Sequence, residues 1–141
     1  MTGQSGLWLE HLRPAECWRL LASVPVARVG VLVDSAPEIY PVNFVVDDES
    51  IIFRTDEGTK LRGLARSPAV CLEADHLSLA DMSGWSVLVK GRAAELTEPN
   101  DIGSAEALPM ALWALGEKSH WIRIVPSEVT GRRLGRTSSR R

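Results

Sequence analysis

Gly58, Thr59 and Lys60 are the three residues of this chain whose types and order could do chemistry directly. They fall in the stretch IIFRTDEGTKL at positions 51–61, which passes from a short apolar strand through an acidic turn into the start of a helix. Such a junction suits an anion. The N–H groups of a helix's first turn have no intrahelical acceptor, and the aligned peptide dipoles place partial positive charge there. Gly58 lets the backbone approach a ligand closely, Thr59 can cap the helix or donate its hydroxyl, and Lys60 adds a full charge. The same residues would also serve as an ordinary capped turn between a strand and a helix. The helix they open is predicted to put Leu61, Leu64 and Ala65 on one side and Arg62 and Arg66 on the other, stopping at Ser67 and Pro68.

The remaining elements must hold that turn in place. A first helix is predicted over 14–23, with Pro14 in its first turn and Cys17, Leu20, Leu21 and Val24 at helical spacing. A strand over 26–33 places Ala27, Val29, Val31 and Val33 on one face. After a turn at 34–37, a strand over 38–46 gathers Tyr40, Val42, Phe44 and Val46, leaving Pro41 and Asn43 on the opposite side. Pro41 has no N–H to give a neighbour, so it marks an edge, a bulge or a break in pairing. Asp47, Asp48 and Glu49 turn the chain into the strand over 51–55. Beyond the second helix come a strand over 69–75, a polar loop over 77–83 and the longest predicted strand, 85–96. There Trp85, Val87, Val89, Gly91 and Ala93 share one face. A helix over 98–108 is weakened by Pro99 and Gly103, and Trp113 falls in a loop over 109–116. A last strand over 121–125 extends past Pro126 over 129–134. Hairpin-linked strands with so few helices predict a mainly β protein, an antiparallel sheet closed into a small barrel.

With 141 residues, 45% of them apolar and 24% charged, the chain reads as one domain over 1–134 with a basic, flexible tail over 135–141. No apolar run approaches the roughly 20 residues that span a bilayer. The opening MTGQSGLWLEHL lacks the cationic start and apolar block of a secretory signal. Cys17 and Cys71 match no metal or redox spacing and read as buried thiols. A cytoplasmic protein without membrane contact is the expectation. The net charge of −2 conceals an asymmetry, because five arginines occupy the last ten positions. The rest of the chain holds 11 basic and 18 acidic residues, a net charge near −7, which argues against nucleic acid as a partner. The sequence has no GxGxxG, no phosphate loop ending in GK[ST], no GxSxG and no HExxH. His11, His76 and His120 are scattered, so no metal is expected.

What remains is a set of polar groups on strand faces that the barrel core does not claim. Asn43 faces away from Val42 and Phe44, Ser86 away from Trp85 and Val87, and Arg54 away from Phe53. Thr55 ends its strand beside the anion-ready turn. Together they describe a flat, partly apolar ligand with an amide-like edge and a phosphate at one end. Flavin mononucleotide (FMN) has that shape.

Two segments carry a family resemblance: PVNFVVDDESIIFRTDEGTKLRGLARSPAVCLEAD at 41–75 and GWSVLVKGRA at 84–93. Over about residues 16–134 the chain resembles the pyridoxamine 5′-phosphate oxidase-like, FMN-binding split-barrel family, in its nitroimidazole-reductase-like and small actinobacterial branch. The strand-end Thr followed by Gly-Thr-Lys is the most specific part. The resemblance implies an antiparallel split β-barrel with short flanking helices, in which Thr55, Thr59 and Lys60 hold the FMN phosphate. It implies that Pro41, Val42, Asn43 and Phe44, with Asn43 foremost, lie along the isoalloxazine, and Arg54 and Leu61 are expected among the cofactor-binding residues. Ser86, preceded by Trp85, stands where the oxidases carry a flavin-contacting Gln. The family is typically a homodimer with two flavins at the subunit interface, so Trp113, Arg132 and Arg133 are expected to reach the partner's site.

The departures narrow the activity. The Arg-Pro segment and the later Arg and His with which the oxidases grip their substrate have no counterpart here, and Arg54 stands where reductase-like relatives often carry His. The expectation is a small flavin-dependent reductase or oxidase using NADH or NADPH. The alternatives are a deazaflavin cofactor on the same fold, or a non-catalytic flavin-binding or sensory module.

Overall fold

The computed structural model describes residues 6–109 and 120–136. Trp113, most of the loop expected around it, and residues 137–141 of the basic tail lie outside the described residues. In chain order the elements are β1 (Leu7–His11), α1 (Pro14–Leu21), β2 (Val26–Val33), β3 (Ala36–Val46), β4 (Ile51–Thr55), α2 (Thr59–Arg66), β5 (Ala69–Ser78), β6 (Ser83–Glu95), α3 (Pro99–Glu106) and β7 (His120–Arg136).

Every ladder is antiparallel, in the order β1-β7-β4-β3-β2-β5-β6, and β6 pairs back onto β7. Six strands therefore close a ring, and β1 lies along the free end of β7. The alternating apolar residues of β2, β3 and β6 point into the ring, where Val29, Phe44, Phe53, Leu72, Val89 and Ile124 are buried, and Cys17 and Leu21 of α1 join that core. β4 is covered on both sides. Ile51, Phe53 and Thr55 face the barrel interior, while Ile52 packs with Trp121 and Ala105 in a second, smaller core beneath α3. That double burial explains the unbroken apolar start of IIFRT.

Several boundaries differ from the sequence reading. Asp34 and Ser35 both take left-handed φ, 52° and 68°, in a tight two-residue turn, so β3 starts at Ala36 opposite Val33. Asp and Ser tolerate that conformation, and without a glycine the turn reads as longer than it is. The β5–β6 hairpin takes both ends of the expected polar loop into its strands, with Ser78 opposite Ser83, and only residues 79–82 connect them.

β7, not β6, is the longest strand, at 17 residues, and runs unbroken through Pro126. The β6–β7 ladder shifts register there: Gly91 pairs with Pro126 and Lys90 with Glu128. Ser127 is left as the extra residue and donates its hydroxyl to the Lys90 carbonyl at 3.1 Å. A Cβ on Gly91 would strike the Val125 carbonyl, so glycine is what lets the strands meet at the bulge. Gly135 and Arg136, expected in the tail, extend β7 to pair with Trp8 and Leu7 of β1. β1 itself carries no alternation, because all five of its residues are exposed.

Candidate functional site

β3 and β4 form the frame of the candidate site. Their ladder joins Phe44 to Phe53, Val45 to Ile52 and Val46 to Ile51, and stops at Phe44. Pro41 pairs with Arg28 on β2 but lies beyond that ladder, so its missing N–H deprives no partner on the β4 side. Val42 and Phe44 put their side chains into the core, leaving backbone for a ligand there. Asn43 Nδ2 donates to the Pro25 carbonyl at 3.4 Å.

Thr55 ends β4 fully buried, its hydroxyl donating to the Asp56 carbonyl at 3.3 Å. Arg54, on the opposite face, lays its guanidinium 4.7 Å from the centroid of the Trp121 ring.

Gly58, and not Thr59, is the N-cap of α2. Its φ of 152° is an angle that side chains rarely allow, and an added Cβ would meet nothing within 4 Å. Among the described residues, open space therefore lies over the turn, and no side-chain hydrogen bond caps the helix. Thr59 is the first helical residue, and its hydroxyl accepts from Arg62 Nη2 at 3.3 Å instead of capping. Lys60 Nζ sits 5.2 Å from the Tyr40 ring centroid, tying the turn to β3. The hydroxyl of Tyr40 in turn donates to Glu38, which raises the phenol's pKa. Leu61 packs against the main core.

α2 lies close on β2 because Gly63 allows it: a Cβ there would stand 2.9 Å from the Leu32 carbonyl. Along this contact runs a cleft of about 460 Å³, lined by Thr59, Arg62 and Arg66 from α2 and by Asp34 and Ser35 from the β2–β3 turn. Arg66 reaches Asp34 at 3.7 Å.

A second cleft, of about 260 Å³, lies elsewhere. Trp85, Ser86 and Arg132 line it with Leu9, Asp75 and Leu134. Ser86 is the direct ladder partner of both Asp75 and Arg132, so the three side chains share one face of the sheet. Arg28 Nη1 crosses that face to Glu73 at 3.1 Å and Asp75 at 3.4 Å. Partial burial, then the hydrogen bond and charge of Asp75, push the Glu73 carboxyl up to about 7 against the pull of Arg28. Arg133 points the other way and holds Glu16 of α1 at 2.9 Å within its own chain.

The structure thus brings Asn43, Thr55, Thr59 and Lys60 toward one end of the barrel and gathers Trp85, Ser86 and Arg132 in the second cleft, while Pro41 is joined to the face of that cleft through its ladder partner Arg28, which reaches Asp75. His120 of β7 faces Thr55, and Arg132, further along the same bulged strand, faces Ser86. Residue type and spacing do not mark Tyr40, Arg62 or Asp75 as part of either place. Tyr40 shows in the sequence only as a core-face position, and the other two need the strand pairing and the helix packing to be placed.

Residues 13–133 match the protein family described as pyridoxamine 5′-phosphate oxidase. A Mycobacterium tuberculosis protein of uncharacterised function is 35% identical over 136 residues, covering 93% of this chain and 89% of its own. The solved structure of a Mycobacterium smegmatis protein described as FAD binding is 38% identical with a TM-score of 0.72, over 89% of this chain and 97% of that one. A Corynebacterium glutamicum structure reaches a TM-score of 0.77 at 33% identity, over 90% and 94% of the two chains.

Proposed function

This chain belongs to the pyridoxamine 5′-phosphate oxidase family, and on that premise we propose that it binds a phosphorylated flavin, FMN first among them, as a small oxidoreductase. The observation that carries the reading is the turn at Gly58: among the described residues, open space above it, Lys60 beside it and no side-chain cap on α2. These features fit a phosphate. Thr59 and Lys60 hold its charge, Thr55 anchors the strand behind it, and the Asn43 backbone, just past the end of the β3–β4 ladder, offers amide groups to a ring edge, while the Phe44 N–H is donated to the Pro25 carbonyl at 3.4 Å. A bound flavin supplies hydride transfer, with NADH or NADPH as the proposed donor, and the chain supplies position and field. The 38%-identical relative described as FAD binding supports the flavin class.

The second cleft belongs to the same reading in a homodimer. Trp85, Ser86 and Arg132 line a cleft separate from the turn at Gly58, and in this reading a second copy of the chain brings them to the flavin held by Lys60. Exposed Leu7, Leu9 and Leu77 at that end of the sheet support such a contact.

One observation favours the dinucleotide as a second reading. The cleft along α2 begins at Thr59 and continues past Arg62 to Arg66, which suits a second phosphate and an adenosine half. Denaturing the purified protein and weighing the released small molecule decides among FMN, FAD and a deazaflavin. Reconstitution with each, followed by reduction with NADH or NADPH, tests the oxidoreductase reading. A protein that stays colourless and binds none of the three overturns the proposal.

A further inference from the structure

His120 opens β7 directly opposite Thr55, and its ring stands between two carboxylates. Nδ1 is 2.5 Å from Glu95 Oε2 at the end of β6, and Nε2 is 3.5 Å from Glu57 Oε1 in the turn that leads to Thr59. A neutral imidazole has one N–H, so one of its nitrogens would present a lone pair to a carboxylate. Only the doubly protonated ring satisfies both contacts. The ring then links three parts of the chain: the end of β6, the start of β7 and the turn before α2.

We propose that His120, as an imidazolium clasped between Glu95 and Glu57, is a positioning residue of the phosphate turn. It holds Glu57 against the barrel mouth and offsets the charge of that carboxylate, so that Thr59 and Lys60 meet the phosphate in a less anionic field. The inference rests on the phosphate-site reading above.

Among the described residues, the charged groups acting on the ring are Glu95 and Glu57, and Thr55 beside it is uncharged. The hydrogen bond to Glu95 holds the imidazole pKa above its ordinary value. Burial opposes this, and the charges of Glu95 and Glu57 add to it. The clasp is therefore closed in mildly acidic solution and opens as pH rises through the folded-state pKa. Glu57 releases first, because its side chain is 83% exposed and its contact is the longer one.

The test uses the full chain. FMN affinity is titrated between about pH 6 and about pH 9 for wild type, His120→Gln and Glu95→Gln, with riboflavin as the ligand lacking phosphate. Ionisation of the FMN phosphate is common to all three proteins and cancels in the ratios. Wild type should bind FMN roughly two- to fivefold tighter than His120→Gln at the acidic end, with the ratio falling to one at the alkaline end. In Glu95→Gln the fall should come at lower pH, and riboflavin should show no difference among the proteins. Parallel pH profiles for wild type and His120→Gln would overturn the proposal. Amide chemical shifts of residues 56–60, followed without ligand, read the clasp itself. They should move with the His120 ring in wild type and lose that step in His120→Gln. If they move but FMN never binds, the phosphate-site reading has failed and the clasp stands. If they do not move, the clasp has failed.

Discussion

Arg54 and Trp121 are direct partners across the β4–β7 ladder, and the guanidinium of one lies 4.7 Å from the ring centroid of the other. The pair sits at the margin of the smaller core, where Trp121 is buried beside Ile52 and Ala105. A cation held over an indole that is mostly shielded from water gains more than an exposed one, and the arginine stem covers apolar surface as well. Arg54→Ala should lower the unfolding free energy by about 1–2 kcal/mol, with Arg54→Lys falling between the two. Urea denaturation followed by tryptophan fluorescence measures this. An unchanged midpoint for Arg54→Ala would show that the stacked pair adds nothing to stability.

Lys60→Ala should weaken FMN binding by about 1.5–3 kcal/mol, the range of a hydrogen bond to a charged group. The fold should survive, because the side chain lies over the Tyr40 ring at the barrel's end and outside the core clusters. Riboflavin should bind the variant as it binds wild type. Isothermal titration with the two ligands separates these outcomes, and equal losses for both would remove Lys60 from the phosphate site.

If each flavin is shared between two copies, protomers with different defects can repair one another. Lys60→Ala and Arg132→Ala proteins should each bind FMN poorly. Mixed, unfolded and refolded together at equal amounts, they should regain about a quarter of the wild-type sites, since half the dimers are mixed and each mixed dimer holds one intact site. Fluorescence quenching of FMN counts those sites. No recovery, with mixed dimers confirmed by mass, would place Lys60 and Arg132 at the same site or at unrelated ones.

The carboxyl of Glu73 is raised from 4.5 to about 7 by burial first and by Asp75 second. A carboxyl whose pKa is higher when folded holds its proton more tightly in the native state. Its contribution is fully present below 4.5 and is lost as pH rises toward about 7. Glu73 and Asp75 titrate as a pair, so the step belongs to both. Glu73→Gln should flatten the pH dependence of the urea midpoint across that window and gain on wild type at the alkaline end. A wild type whose stability rises through the window would contradict the assignment.

Much of the barrel is legible in the order of residues along the chain, and the reasons are local. Alternation in β2 and β3 needs only neighbours two residues apart, and Pro41 announces the limit of the β3–β4 ladder without the identity of either flank. The turn at Gly58 is legible too, because strand, glycine and lysine follow one another in the chain. The features that residue order conceals are non-local or unmarked. β1 has no patterned face, and it exists because Trp8 lies over Gly135 at the far end of the chain. The continuity of β7 through Pro126 depends on a bulge whose room comes from Gly91 on another strand. The Asp34 and Ser35 turn lacks the glycine that would flag it.

The candidate site divides along the same line. Residue types along the chain are enough to mark an anion-ready turn and a set of polar strand positions, because capping, charge and alternation act over a few residues. Pairing alone decides that Lys60 rests on Tyr40, that His120 meets Glu57 and Glu95, and that Ser86 and Arg132 sit at a different place from Thr55. Those distances depend on how strands remote in sequence close a ring, and ring closure is set by the summed packing of the core rather than by any one stretch of residues.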